Sequence, residues 1–128
     1  MKTNKIILIE LKYESDNYNE LITKFINIIK KYRYLNIYIC SFNYGLIKII
    51  KNKYPYYKCG LIIGYLMNTN NITNELDFFL YGSNYLKLIN YDKEIFVFDI
   101  NKKEKLENIK KKLNNNFYII SDKCYLLI

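Results

Sequence analysis

The chain has no histidine, no tryptophan, one proline and a single arginine, Arg33, among its 128 residues. Without histidine it lacks the imidazole most often used as a general acid or base. Its three cysteines, Cys40, Cys59 and Cys124, show no Cys-x-x-Cys or other ligand spacing, and their number is odd. They suit buried thiols in a reducing compartment better than a disulfide framework. No apolar run approaches the roughly 20 residues that cross a bilayer, so no transmembrane segment is expected. The start, MKTNK followed by a short strand-like run, does not have the form of a secretory signal.

What is present is an unusual mixture of Ile, Asn, Lys and Tyr. Apolar residues and Tyr make up 51% of the chain, enough to fill a core, and the length fits one domain, residues 1–128. The bias is that of an A+T-rich genome, as in many large DNA viruses and some parasites, and the expected location is cytoplasmic or virion-associated, not secreted. The formal charge of +8 then has two readings. A basic surface attracts anions through its long-range field. Codon bias also places Lys wherever a solvated residue is tolerated.

Apolar, β-branched runs alternate with helix-like segments. Strands are expected at 5–11, 36–40 ("NIYIC"), 59–65 ("CGLIIGY"), near 77–80, at 94–100 ("EIFVFDI") and at 116–121 ("NFYIIS"). A helix over 17–33 follows from the spacing of Leu21, Ile22, Phe25, Ile26, Ile29 and Tyr32, with Asn17 and Glu20 as a capping pair. Asn43 is placed to cap a second helix through Lys53, which must stop near Tyr54 because Pro55 disfavours helix before it. A helical stretch is expected near 83–90 and a lysine-rich helix over 102–113, with Leu106, Ile109 and Leu113 as its buried stripe. The closing "CYLLI" should dock as an apolar end. Such alternation implies parallel strands, whose carboxyl ends gather functional groups. Glu10 and Lys12, Ser41 and Phe42, Gly64, Asp99 and Asn101, and Ser121 and Asp122 all fall at strand ends and are expected to share one rim.

Four of these segments resemble, in order, parts of the glycerophosphodiester phosphodiesterase family. "ILIELK" is similar to its "lniEiK" strand. "IYICSFNYGLIKIIKNKYPYYKCGLI" resembles its next unit, a strand ending in Ser-Phe, a helix, a Pro and a Gly-Leu-Leu strand. "IFVFDIN" stands where the family has "v-v-W-T-v-N", and "FYIISDKCYLL" where it closes with "giiTD-P". The match runs over almost the whole chain but covers only the C-terminal half of the family's (β/α)8 barrel. The expected fold is therefore α/β, a truncated TIM-type barrel: a half-barrel or open, mostly parallel sheet with helices outside. The family's first three βα units, with its catalytic histidines and the rest of its metal site, have no counterpart.

The resemblance implies that Glu10 is a metal ligand, for Mg or Ca; one carboxylate is too few for such an ion, and Asp99 or Asp122 would have to lean across the rim to help. It implies Lys12 near a substrate phosphate, and Phe42 and Phe98 in the substrate-binding wall. Phe98 replaces the family's Trp, Asp99 its Thr, and Lys123-Cys124 breaks its closing Asp-x-Pro. Each residue also has a plainer reading. Glu10 and Lys12 form a surface ion pair, Phe42 and Phe98 belong to the core, and Asp99 and Asp122 cap helices.

The expected function is that of a phosphodiesterase-like protein that does not catalyse hydrolysis and serves as a structural or interaction protein. A homodimer is expected, joined by the 5–11 strand or by Tyr125 to Ile128. The alternatives are a basic module binding a phosphate-containing ligand, such as a phospholipid headgroup or nucleic acid, and a hydrolase completed by a separate polypeptide. The run "KKEKLENIKKKLNNN" invites nucleic acid, yet it reads equally as a solvated helix face, and nucleic-acid binding is not expected.

Overall fold

A computed structural model describes residues 5–13, 17–64, 75–114 and 116–127. The chain divides into two compact units, and the boundary falls within a strand, between Leu61 and Ile62.

The first unit holds β1 (Ile6–Glu10), α1 (Tyr18–Ile29), β2 (Asn36–Ser41), α2 (Tyr44–Lys53) and most of β3 (Lys58–Ile63). Both ladders are parallel. Ile6 pairs with Asn36 and Glu10 with Cys40, while Tyr38 pairs with Lys58 and Ser41 with Leu61. The crossover helices expected from the sequence make this pairing necessary, since a parallel neighbour cannot be reached by a hairpin. α1 buries Ile22, Ile26 and Ile29, and α2 buries Leu46, Ile47 and Ile50. Each buried side chain of this size contributes about 1.5–3 kcal/mol relative to exposure.

The ends of these helices follow local chemistry. Asn43 caps α2, its side chain accepting from the Leu46 amide at 3.1 Å. α2 stops at Lys53, as Pro55 requires, and Lys51 Nζ donates to the carbonyls of Pro55 (2.9 Å) and Tyr57 (3.1 Å) beyond it. α1 differs from expectation at both ends. Asn17 takes the N-cap position but makes no side-chain cap bond, and Glu20 pairs instead with Lys24 one turn on, at 2.6 Å. Its last turn tightens into a 3₁₀ turn, Lys30–Tyr32, which places Tyr32 and Arg33 just before β2.

The second unit holds β4 (Phe78–Gly82), β5 (Glu94–Phe98), α3 (Lys103–Leu113) and β6 (Tyr118–Ile119). Again the ladders are parallel, with Phe78 opposite Glu94, Gly82 opposite Phe98 and Phe96 opposite Tyr118. Rings of Phe78, Phe96 and Tyr118 run across the three strands, with centroids 5.3 and 4.7 Å apart. α3 buries Leu106, Ile109 and Leu113 as the stripe predicts, and Asn114 closes it in the left-handed conformation (φ 52°).

Three expectations need correction here. The helix near 83–90 is one 3₁₀ turn, Leu86–Leu88. Its backbone donors are used elsewhere: Ser83 N bonds to Phe98 O at 3.1 Å, and Asn90 N to the Tyr81 hydroxyl at 2.8 Å. The last strand is two residues long, because Asn116 N closes the end of α3 on Leu113 O. The C-terminal segment does not dock: Cys124–Leu126 form a 3₁₀ turn in which Tyr125 and Leu126 are exposed, and Cys124 is exposed too rather than buried. Tyr65, expected to end the third strand, and Ile128 lie outside the described residues. No helix among the described residues is long and apolar enough to cross a membrane.

Candidate functional site at the strand carboxyl ends

In the first unit, Glu10 is the last residue of β1, exposed and in register with buried Cys40. Burial pushes the Cys40 thiol up to about 12, and the Glu10 charge adds to that shift, so this thiol is inert rather than nucleophilic. Lys12 follows, also exposed. No ion pair joins Glu10 to Lys12 among the described residues, which corrects the surface-pair reading. Both are solvated, so water competes for each charge, and an exposed pair has little to hold it.

The chain leaving β1 is held by the loop that follows β2. Ser41, 1% exposed, donates to the Leu11 carbonyl at 2.7 Å and accepts from the Asn43 amide at 3.1 Å. Asn43 Nδ2 donates to the Tyr13 carbonyl at 3.3 Å and to the Tyr18 hydroxyl at 3.1 Å. Tyr13 in turn lies edge-on to Tyr18, with centroids 6.2 Å apart, and its hydroxyl donates to Asn17 O at 3.0 Å. Lys12 thus sits in a segment fixed by the residues on either side of it. Phe42 stands between the two anchors, Ser41 and Asn43, and is 51% exposed. It is not a core residue. Sequence reasoning gave Asn43 a cap role but missed its bonds to Tyr13 and Tyr18; the Ser-Phe-Asn run was the available signal.

In the second unit, Phe98 ends β5 half-buried, opposite Gly82. A Cβ on Gly82 would lie 2.9 Å from Tyr85 and 3.3 Å from the Phe98 ring, so glycine is needed for this close approach. Asp99 is exposed with φ 63°, a left-handed turn that brings Ile100 back into the core. Neither aspartate caps a helix. Lys102 is the N-cap of α3, and Asp122 is exposed beside Ser121, which supplies the local bonds. The Ser121 hydroxyl donates to Asn101 Oδ1 at 2.8 Å and accepts from Lys123 N at 3.0 Å.

A divalent cation such as Mg or Ca takes six or more oxygens, usually with several carboxylates. No group of three or more His, Cys, Asp or Glu that could hold a metal is assembled among the described residues, and Glu10 stands in solvent. The described residues do not fit such an ion.

No protein-family model matches this sequence, and no curated protein does. Solved structures do. A phosphodiesterase of Oleispira antarctica, in complex with the product sn-glycerol-3-phosphate, superposes with a TM-score of 0.72 at 15% identity, over 92% of this chain and 51% of that one. The chain has a glycerophosphodiester phosphodiesterase-like fold. A glycerophosphodiester phosphodiesterase from Parabacteroides distasonis gives a TM-score of 0.67 at 13% identity, over 91% of this chain and 52% of its own. A protein from Galdieria sulphuraria described as a candidate member of the same family gives 0.70 at 17%, over 98% and 57%. The fold class is thus α/β, part of a TIM-type barrel, and the chain spans about half the length of these structures. Identity this low shows the fold alone, so the residue roles implied by resemblance rest on their positions in the sequence.

Proposed function

We propose that residues 1–128 act as one glycerophosphodiester phosphodiesterase-like domain that does not hydrolyse phosphodiesters and serves as a structural or interaction protein. The observation that carries this reading is Glu10, an exposed carboxylate at the end of β1 with no metal-binding cluster around it among the described residues, in a sequence with no histidine. General acid–base help is typically worth 10²–10⁴-fold, and the side chains that most often give it are missing. The test is release of glycerol phosphate from glycerophosphocholine with magnesium or calcium present. No turnover is expected, and turnover that disappears in Glu10→Gln would overturn the reading.

The interaction partner we propose is a second copy of this chain. β1 stands at the end of the strand order, and Ile7 on it is 38% exposed. An apolar edge of this kind recruits another strand unless something covers it, and two-fold pairing is the commonest solution. Tyr125 and Leu126 offer a second apolar contact. Light scattering at micromolar concentration should report a dimer that Ile7→Lys dissociates, and a monomer throughout would refute it. Reduced Cys40 and Cys59, both buried, favour a cytoplasmic or virion-associated location. Lys12 is assigned a ligand phosphate, with Phe42 and Phe98 as apolar neighbours, by resemblance alone.

A further inference from the structure

A groove of about 500 Å³ opens in the first unit where β2 and β3 begin, at the opposite strand ends from Glu10 and Lys12. Its walls include Tyr32, Arg33, Asn36, Tyr56, Tyr57 and Lys58. The size falls within the range of small-molecule sites. Two segments far apart in sequence make it: the 3₁₀ turn that ends in Tyr32 and the turn after Pro55, closed by Tyr57 N on Tyr54 O at 3.1 Å.

Three features of the groove point to an anion. Arg33 is the chain's one arginine. Arg33 adds to the lysine charge the planar fork that grips phosphate through two parallel bonds. Neither Arg33 nor Lys58 is paired with a carboxylate among the described residues. Tyr57 is 8% exposed, and its hydroxyl is buried without a hydrogen-bond partner among the described residues. A buried donor left unmade is costly, and this one needs a partner that the described residues do not supply. Burial and the Tyr56 hydroxyl push the Tyr57 pKa up, while the Arg33 guanidinium pulls it down, which brings Arg33 into the field of this hydroxyl.

We propose that this groove binds a phosphomonoester carrying an aromatic or apolar body, with Arg33 and Lys58 on the phosphate, the Tyr57 hydroxyl donating to it, and the exposed rings of Tyr32 and Tyr56 against the body. Two cations with a neutral donor match a doubly charged phosphate better than a single carboxylate. Tyr56 packs on Tyr57 with centroids 4.7 Å apart, so the ring facing the ligand is backed by one that is fixed. The groove at the start of β5 and β6 makes a useful contrast. It is of similar size, about 480 Å³, but Asp92 and Glu94 offset its Lys93, and the same phosphate would be repelled there. The proposal does not rest on the absence of hydrolysis or on dimerisation, and either reading can fail without touching it.

The test is calorimetry on the full chain with phenyl phosphate, inorganic phosphate and phosphatidylcholine vesicles containing phosphatidic acid. Phenyl phosphate should bind more tightly than inorganic phosphate, and the vesicles should bind no better than vesicles without the acid. Arg33→Lys should weaken phenyl phosphate about tenfold or more, because the charge stays but the fork is lost. Tyr57→Phe should separate two roles: it should raise the melting temperature of the free protein and shrink the further rise that phenyl phosphate gives. Lys111→Gln, on the exposed face of α3, should leave affinity unchanged. Three results would overturn the proposal: no binding of either soluble probe, equal losses in Arg33→Lys and Lys111→Gln, or an unchanged phenyl phosphate affinity in Tyr57→Phe.

Discussion

Ser41 and Leu11, thirty residues apart, are joined by a 2.7 Å bond from the serine hydroxyl to the leucine carbonyl. The same oxygen accepts the Asn43 amide, so Ser41→Ala removes two bonds at a buried position. Leaving buried polar groups unmatched costs about 1–3 kcal/mol. Urea unfolding should show a loss in that range with an unchanged slope, and a loss near zero would mean that water replaces the hydroxyl.

Asn43 should cost more than an ordinary cap. An N-cap Asn replaced by Ala loses about 1 kcal/mol. Here the amide also holds Tyr13 and Tyr18. Asn43→Asp keeps the acceptor for Leu46 but loses both donated bonds, so it should fall between wild type and Asn43→Ala. A double-mutant cycle with Tyr18→Phe should give a coupling of about 0.5–3 kcal/mol, and additivity would show that the two side chains act separately.

Alkaline pH should destabilise the fold through Cys40. Its thiol is raised from an ordinary value of 9.0 to about 12, chiefly by burial and then by the Glu10 charge. Between those values the folded state holds a proton that the unfolded state has released, so stability falls as pH rises, by up to about 1.4 kcal/mol per pH unit. Tyr57 and Tyr81, also raised by burial, act in the same direction. Cys40→Ala should flatten the profile above pH 9. A slope that survives in this variant would assign the effect to the tyrosines. In the native protein at neutral pH, iodoacetamide should label exposed Cys124 and spare Cys40 and Cys59.

Asp99 pays for a left-handed backbone. Such a conformation costs an L-residue roughly 1–2 kcal/mol, less for aspartate than for a β-branched residue. Asp99→Val should therefore be less stable than Asp99→Gly by about that amount. Equal stabilities would mean that the turn relaxes without a side-chain penalty.

Titration with magnesium or calcium should show no binding at micromolar protein. Heat that is abolished in Glu10→Ala, but kept in Asp99→Asn and Asp122→Asn, would put a cation on Glu10 after all and reopen hydrolysis.

The parallel α/β order was legible because each β-branched run stops at a turn signal and each helix carries a single apolar stripe. Ile22, Ile26 and Ile29 announce α1, and Leu106, Ile109 and Leu113 announce α3, before any contact is known. Short segments were less legible. The stretch near 83–90 reads as helical, but Gly82, Tyr81 and Phe98 take backbone donors within it. Phe42 reads as core by type, yet its neighbours Ser41 and Asn43 are committed to Leu11, Tyr13 and Tyr18, which leaves the ring in solvent. The Arg33 groove had only faint signals, a lone arginine and the run Tyr-Pro-Tyr-Tyr. Periodicity does not reveal which distant loops meet.

The parallel ladders also set the order in which the chain can assemble. A parallel pair cannot close through a tight turn, so no ladder between β1 and β2 or between β4 and β5 can form as an isolated hairpin. On the ribosome, β1 emerges before β2 and can pair with it only when Asn36 to Ser41 have followed through the exit tunnel. Until then, Ile6 to Ile9 lack this parallel neighbour in a crowded compartment. The hazard is greatest in that interval and is governed by synthesis speed and loop closure rather than by the stability of the finished fold.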